Sequence, residues 1–109
     1  MSEIVYNKLV RDNIPAIITA DNAEPVFETL TDNAAYLQSL LEKFVEEAKE
    51  LLESGGSLDE WADVEEVRKA ILEQQGHDYA TVEAARIEKA KKRGSFSLRI
   101  FLKKVVTND

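Results

Sequence analysis

Between Asp32 and Gly76 the chain repeats apolar residues at intervals of three and four. Leu37, Leu40, Leu41, Phe44, Val45, Ala48, Leu51 and Leu52 recur at helical spacing, so a helix over this stretch carries one continuous core-facing stripe. Asp32 is placed to cap it, and Ser54, Gly55, Gly56 and Ser57 end it. Ser57 then opens an S-x-x-E capping-box pattern with Glu60, after which Leu58, Trp61, Val64, Val67, Ile71 and Leu72 carry a second helix to Gly76. Two such stripes joined by a short turn predict an antiparallel helical hairpin.

The flanks are shorter and less regular. Asp12 or Asn13 can cap a short helix with Pro15 in its first turn, ending near Asn22. The stretch EPVFETL reads as an extended connector, since Pro25 resists helix and Val26, Phe27 and Thr29 suit a strand. A further helix is expected from about Asp78 to Arg93, closed by Gly94 with cations in its last turn. In the tail, Phe96, Leu98, Ile100 and Leu102 alternate with Ser97, Arg99 and Phe101. That favours an extended segment, able to pair with the connector or the N-terminal residues. The expected fold is therefore mainly α, a helical hairpin or bundle with short peripheral extended segments, and residues 1–109 read as a single domain.

Composition narrows the functions open to such a domain. A chain of 109 residues with 44% hydrophobic content can build one core. Twenty-one acids against 14 Lys and Arg, a net charge of -7, argue against a general grip on nucleic acid. An acidic protein can still bind a phosphorylated ligand through bridging divalent cations. The absence of cysteine excludes disulfides, thiolate zinc sites and a Cys nucleophile. No apolar run reaches the length of a signal peptide or a membrane span, so a cytoplasmic protein without a membrane partner is expected.

The acids fall in a pattern. Glu47 and Glu50 lie three residues apart on the first long helix, and Glu60 and Asp63 have the same spacing on the second. In an antiparallel hairpin both pairs sit near one end and can face each other. Four carboxylates so placed repel unless a cation neutralises them, and Mg²⁺ favours hard oxygen ligands and bridges readily to phosphates. The alternative is structural: Glu47 pairs with Lys43, Glu60 serves only as a cap, and Glu46 and Glu53 are solvated surface. The helical wheel weighs against that, because Glu60 falls among Val64, Val67 and Ile71. Glu47 and Glu50 lie at the margin of their stripe, so enclosing them requires a further helix or a second subunit. Arg86, Lys89 and Arg93 share a face of the last helix; Lys89 and Arg93, like Lys8 and Arg11 near the N-terminus, are either structural cations or donors to a phosphate.

The stretches EEAKE (46–50) and EWAD (60–63), flanked by YNKLVRDNIP, KAKKRGSF and RIFLKKV, resemble the all-α nucleoside triphosphate pyrophosphohydrolases, the MazG-like and phosphoribosyl-ATP pyrophosphohydrolase-like superfamily, in a small single-domain branch. The resemblance implies a helical fold that forms a homodimer or homotetramer, a Mg²⁺ or Mn²⁺ site on the helix pair, and hydrolysis of a nucleotide between its α- and β-phosphates. Carried onto this chain, it makes Glu47, Glu50, Glu60 and Asp63 the metal ligands, with Glu46 as an accessory catalytic acid beside Glu47. Lys89 and Arg93 become phosphate contacts, joined by Lys8 and Arg11. Nine residues separate Glu50 from Glu60, short for that family, so the hairpin turn is trimmed. Within the same resemblance stands a hydrolase acting on phosphoribosyl-ATP; outside it stands a non-catalytic dimeric helical binding module.

Overall fold

The computed structural model describes residues 2–108. Among them it contains four helices, α1 (Ile14–Ala20), α2 (Asn33–Glu53), α3 (Leu58–Gln75) and α4 (Tyr79–Arg93), and no strand. The chain divides into two compact units, one running through Gly76 and one beginning at His77. The expected mainly helical architecture is therefore present.

The first unit is organised by the hairpin. α2 and α3 pack against each other across a turn in which Gly55 and Gly56 take φ of 69° and 86°, the left-handed region that glycine enters without strain. Ser57 caps α3 through its side chain, accepting from the Glu60 N–H at 3.3 Å. The reciprocal half of the capping box is not made by Glu60. Instead the Ser57 N–H donates to Ser54 Oγ at 3.1 Å, which leaves the Glu60 carboxylate free for another role. Gly76 ends the helix at φ 72°, a left-handed C-cap.

The core between the two helices is narrow. Leu40, Val64 and Ile71 are buried, with Leu37, Phe44, Leu51, Val67 and Leu72 half-buried beside them. The stripe read from the sequence is wider than the face that is covered, for Leu41, Val45, Leu52, Leu58 and Trp61 remain exposed. Helical periodicity reports which residues share a face; how much of that face is covered depends on what packs there.

The other elements follow their expected positions with local corrections. α1 has Asn13 at its cap position and Pro in its first turn, but neither Asn13 nor, at the start of α2, Asp32 makes a side-chain capping bond. The connector around Pro25 to Leu30 and the tail from Phe96 onward form no strand among the described residues. Alternation alone does not make a strand, because an isolated extended segment has no ladder to satisfy its backbone. In the tail the Arg99 N–H instead closes a turn onto the Phe96 carbonyl, with Arg99 at φ 59°. In the second unit Asp78 caps α4: its carboxylate accepts from the Thr81 N–H at 2.8 Å, and it is held below its ordinary pKa by Thr81, first through the side chain and then through that N–H.

Three substitutions test this account of the hairpin. Ser57→Ala should cost about 1 kcal/mol through loss of the α3 cap, and Leu40→Ala about 2–5 kcal/mol through a buried cavity. Leu52→Ala, at an exposed site, should stay within about 0.5 kcal/mol of the parent. Urea unfolding measures all three, and equal losses at Leu40 and Leu52 would contradict the assignment of the core.

Candidate metal centre

The turn that reverses the chain after α2 brings the end of that helix beside the start of α3. Glu47, Glu60 and Asp63 thereby meet, each offering a carboxylate oxygen, with these atoms all within 4.8 Å of one another. Their spacing of three residues along α3 places Glu60 and Asp63 on successive turns of one face, and Glu47 faces them from α2.

Burial makes this more than a surface cluster of acids. Glu47 is only 7% exposed, the single buried charged residue among those described. Its Oε2 and the Oε2 of Glu60 are both out of contact with solvent and without a hydrogen-bond partner. A buried carboxylate oxygen with no donor is costly, and such groups normally find a proton, a cation or a metal. Both side chains respond in the expected direction. Burial, followed by the adjacent Glu50 carboxyl, pushes the Glu47 pKa up against the opposing pull of Lys43. Burial, followed by Asp63 and Glu47, pushes Glu60 up.

Cations surround the acids on the other side. Lys43, one turn before Glu47 on α2, stands 3.3 Å from Glu47 Oε1 and 3.5 Å from Glu46 Oε2. Lys8 donates to Glu46 Oε1 at 2.8 Å, and Arg11 donates to Asp63 Oδ1 at 2.7 Å. The Lys8 bond is the main reason that Glu46 is held below the ordinary carboxylate range, and Glu46 in turn raises Lys8. Five carboxylates (Glu46, Glu47, Glu50, Glu60, Asp63) thus face three cations (Lys8, Arg11, Lys43). The acids outnumber the cations, leaving negative charge that a divalent ion can offset. Three carboxylates within mutual reach, two of them with an unpartnered buried oxygen, fit a hard dication such as Mg²⁺ or Mn²⁺.

A cleft of about 390 Å³ opens beside the trio. Glu47, Asp63 and Lys43 border it together with the cations Lys8 and Arg11. Its remaining walls are apolar, formed by Tyr6, Val10, Ile14 and Val67. Lys8 Nζ lies 5.8 Å from the centre of the Tyr6 ring, a cation–π separation. An anionic group bound beside a metal would find positive donors, with an apolar surface next to them.

Of the residues singled out in the sequence, the structure thus brings Glu47, Glu60 and Asp63 together. Glu50 adjoins Glu47 and acts on its charge. Glu46, Lys8 and Arg11 lie at the same end of the hairpin, joined by ion pairs. Lys89 and Arg93 belong to the second unit, exposed on α4. Lys43 was legible only as an ordinary helix partner of Glu47; its contact with two acids at once and its 14% side-chain exposure mark it as part of the centre. Comparison of the chain with protein-family models, curated proteins and solved structures finds no match.

The raised pKa values give a pH prediction. A carboxylate whose folded pKa lies above its unfolded value binds more protons in the native state, so its favourable contribution is present at low pH and is lost as pH rises through the folded pKa. Glu47 and Glu60 are of this kind. Without metal, Glu60→Gln should therefore be more stable than the parent at neutral pH, with the difference shrinking as pH falls through the raised folded pKa and levelling off once the ordinary Glu value is reached. Thermal melts in chelator across about pH 4 to 8 would show the gap between Glu60→Gln and the parent closing toward the acid end. A Gln variant less stable than the parent at pH 7 would contradict a crowded, unneutralised site.

Proposed function

We propose that this chain is a Mg²⁺-dependent nucleotide pyrophosphohydrolase that converts a nucleoside triphosphate to the monophosphate and pyrophosphate, with Mn²⁺ as an alternative ion. The observation that carries the reading is the convergence of Glu47, Glu60 and Asp63 with two buried carboxylate oxygens that have no partner. The resemblance of EEAKE and EWAD to the all-α nucleoside triphosphate pyrophosphohydrolases supplies the reaction. Glu47, Glu60 and Asp63 hold the ion, with Glu50 completing or backing the set. When bound, the ion neutralises these carboxylates and polarises the phosphoryl oxygens of the nucleotide.

The chain's own side chains do the rest. Lys43 pairs with Glu47 and fixes its orientation. Lys8 and Lys43 hold Glu46 ionised next to Glu47, where its carboxylate can orient a water by accepting a hydrogen bond. Lys8 and Arg11 border the cleft as donors for phosphate. Uncovered apolar side chains on both hairpin helices, among them Leu41, Val45 and Trp61, support a homodimer or homotetramer, since a second copy would cover them.

One observation favours a non-catalytic helical binding module instead: Arg11 and Lys8 already pair with Asp63 and Glu46. Assay of pyrophosphate release from a panel of nucleoside triphosphates with Mg²⁺, modified bases included, separates the two. We expect release from at least one nucleotide, lost in chelator and lowered about a hundredfold or more in kcat/KM by Glu47→Gln. No release from any nucleotide would leave the binding module as the better account.

A further inference from the structure

Arg11 occupies an unusual place for a phosphate donor. Its Nη2 donates to Asp63 Oδ1 at 2.7 Å, so the guanidinium sits on one of the three carboxylates that converge in the centre. It reaches Asp63, whose side chain is 35% exposed against 9% for Glu47. The buried Oε2 atoms of Glu47 and Glu60 gain nothing from it and stay without a partner. Arg11 therefore neutralises the rim of the site, while deeper in Lys43 reaches only Glu47 Oε1 and the two Oε2 atoms are left over.

A divalent ion differs in both respects. It can be shared by all three carboxylate oxygens, which lie within 4.8 Å of each other, and it carries twice the charge. A guanidinium bonded to Asp63 at that moment would stand a few ångströms from the ion, and two cations on one carboxylate repel at short range. Arg11 is also free to leave. It lies in the irregular segment before α1, and its side chain is 55% exposed. Lys8 is under no such pressure, because its partner Glu46 is outside the converging trio. The segment thus has an anchor at Lys8 and a releasable contact three residues later at Arg11.

We infer that Arg11 is a placeholder for the metal: it holds Asp63 in the metal-free protein, is displaced when a divalent ion takes the three carboxylates, and then presents its guanidinium to an anion in the cleft. The inference rests on the metal reading of the site. Its consequence is an order of events. The ion binds first, and the positive donor for a phosphate becomes available only afterwards. In the metal-free protein the same contact closes the site against the anion, since the charge that would attract it is already spent on Asp63.

Calorimetric titration of Mn²⁺ into the full chain and into Arg11→Gln and Arg11→Lys tests the competition. Removing the competitor should make Arg11→Gln bind Mn²⁺ more tightly, by up to about fivefold, the factor a partly exposed ion pair is worth. Arg11→Lys retains a competing charge and should bind nearly as the parent does. A parent that binds Mn²⁺ while Arg11→Gln binds it equally or more weakly overturns the placeholder and leaves the metal site standing. No uptake by any of the three overturns both. A second readout follows the side chain itself. In a Mg²⁺ titration by NMR, the Arg11 Nε–H resonance, assigned by its loss in Arg11→Gln, should shift and saturate with the ion, and a resonance that stays fixed while the metal binds also overturns the inference.

Discussion

Two carboxylate oxygens without a donor, one on Glu47 and one on Glu60, set the terms for this end of the molecule. Each arrives from a different helix, and each is carried inward by the apolar packing that builds the hairpin. Burial of Val64 and Ile71 on α3 and of Leu40 on α2 fixes the face on which these helices meet. Glu60 lies one turn before Val64 on that face, and Glu47 opposes it. Hydrophobic packing therefore forces like charges together, and the surrounding chemistry reads as a response to that crowding. Lys43, Lys8 and Arg11 gather around the acids, and the pKa values of Glu47 and Glu60 rise.

The local arrangement of Ser57 matters for the same reason. Had Glu60 closed the capping box, its carboxylate would have been consumed by backbone at the start of α3. Ser54 takes that role by accepting from the Ser57 N–H, so a residue in the turn releases an acid from a structural duty. A sequence pattern with two physical uses was resolved by a neighbour three residues upstream.

This shows where the sequence was informative and where it was silent. Periodicity located both hairpin helices and their ends, since Gly55, Gly56 and Gly76 take conformations that mark helix boundaries. The spacing of Glu60 and Asp63, with Glu60 among apolar neighbours, pointed to the shared site. The contacts of Lys8 with Glu46 and Arg11 with Asp63 span 38 and 52 residues, and no local pattern encodes a pairing over such distances. Strand propensity around Val26 and alternation in the tail favour extended segments, signals that make no strand when no second strand lies alongside. The width of the apolar stripes likewise exceeded the face that the hairpin covers.

The central proposal is that Glu47, Glu60 and Asp63, brought together by the hairpin, are metal ligands. Crystals of the protein grown with Mn²⁺ address it most directly, through anomalous scattering of the ion. The account predicts an anomalous peak bound by carboxylate oxygens of all three residues. Crystals that show no such peak, with the two Oε2 atoms still buried and unpartnered, would contradict it.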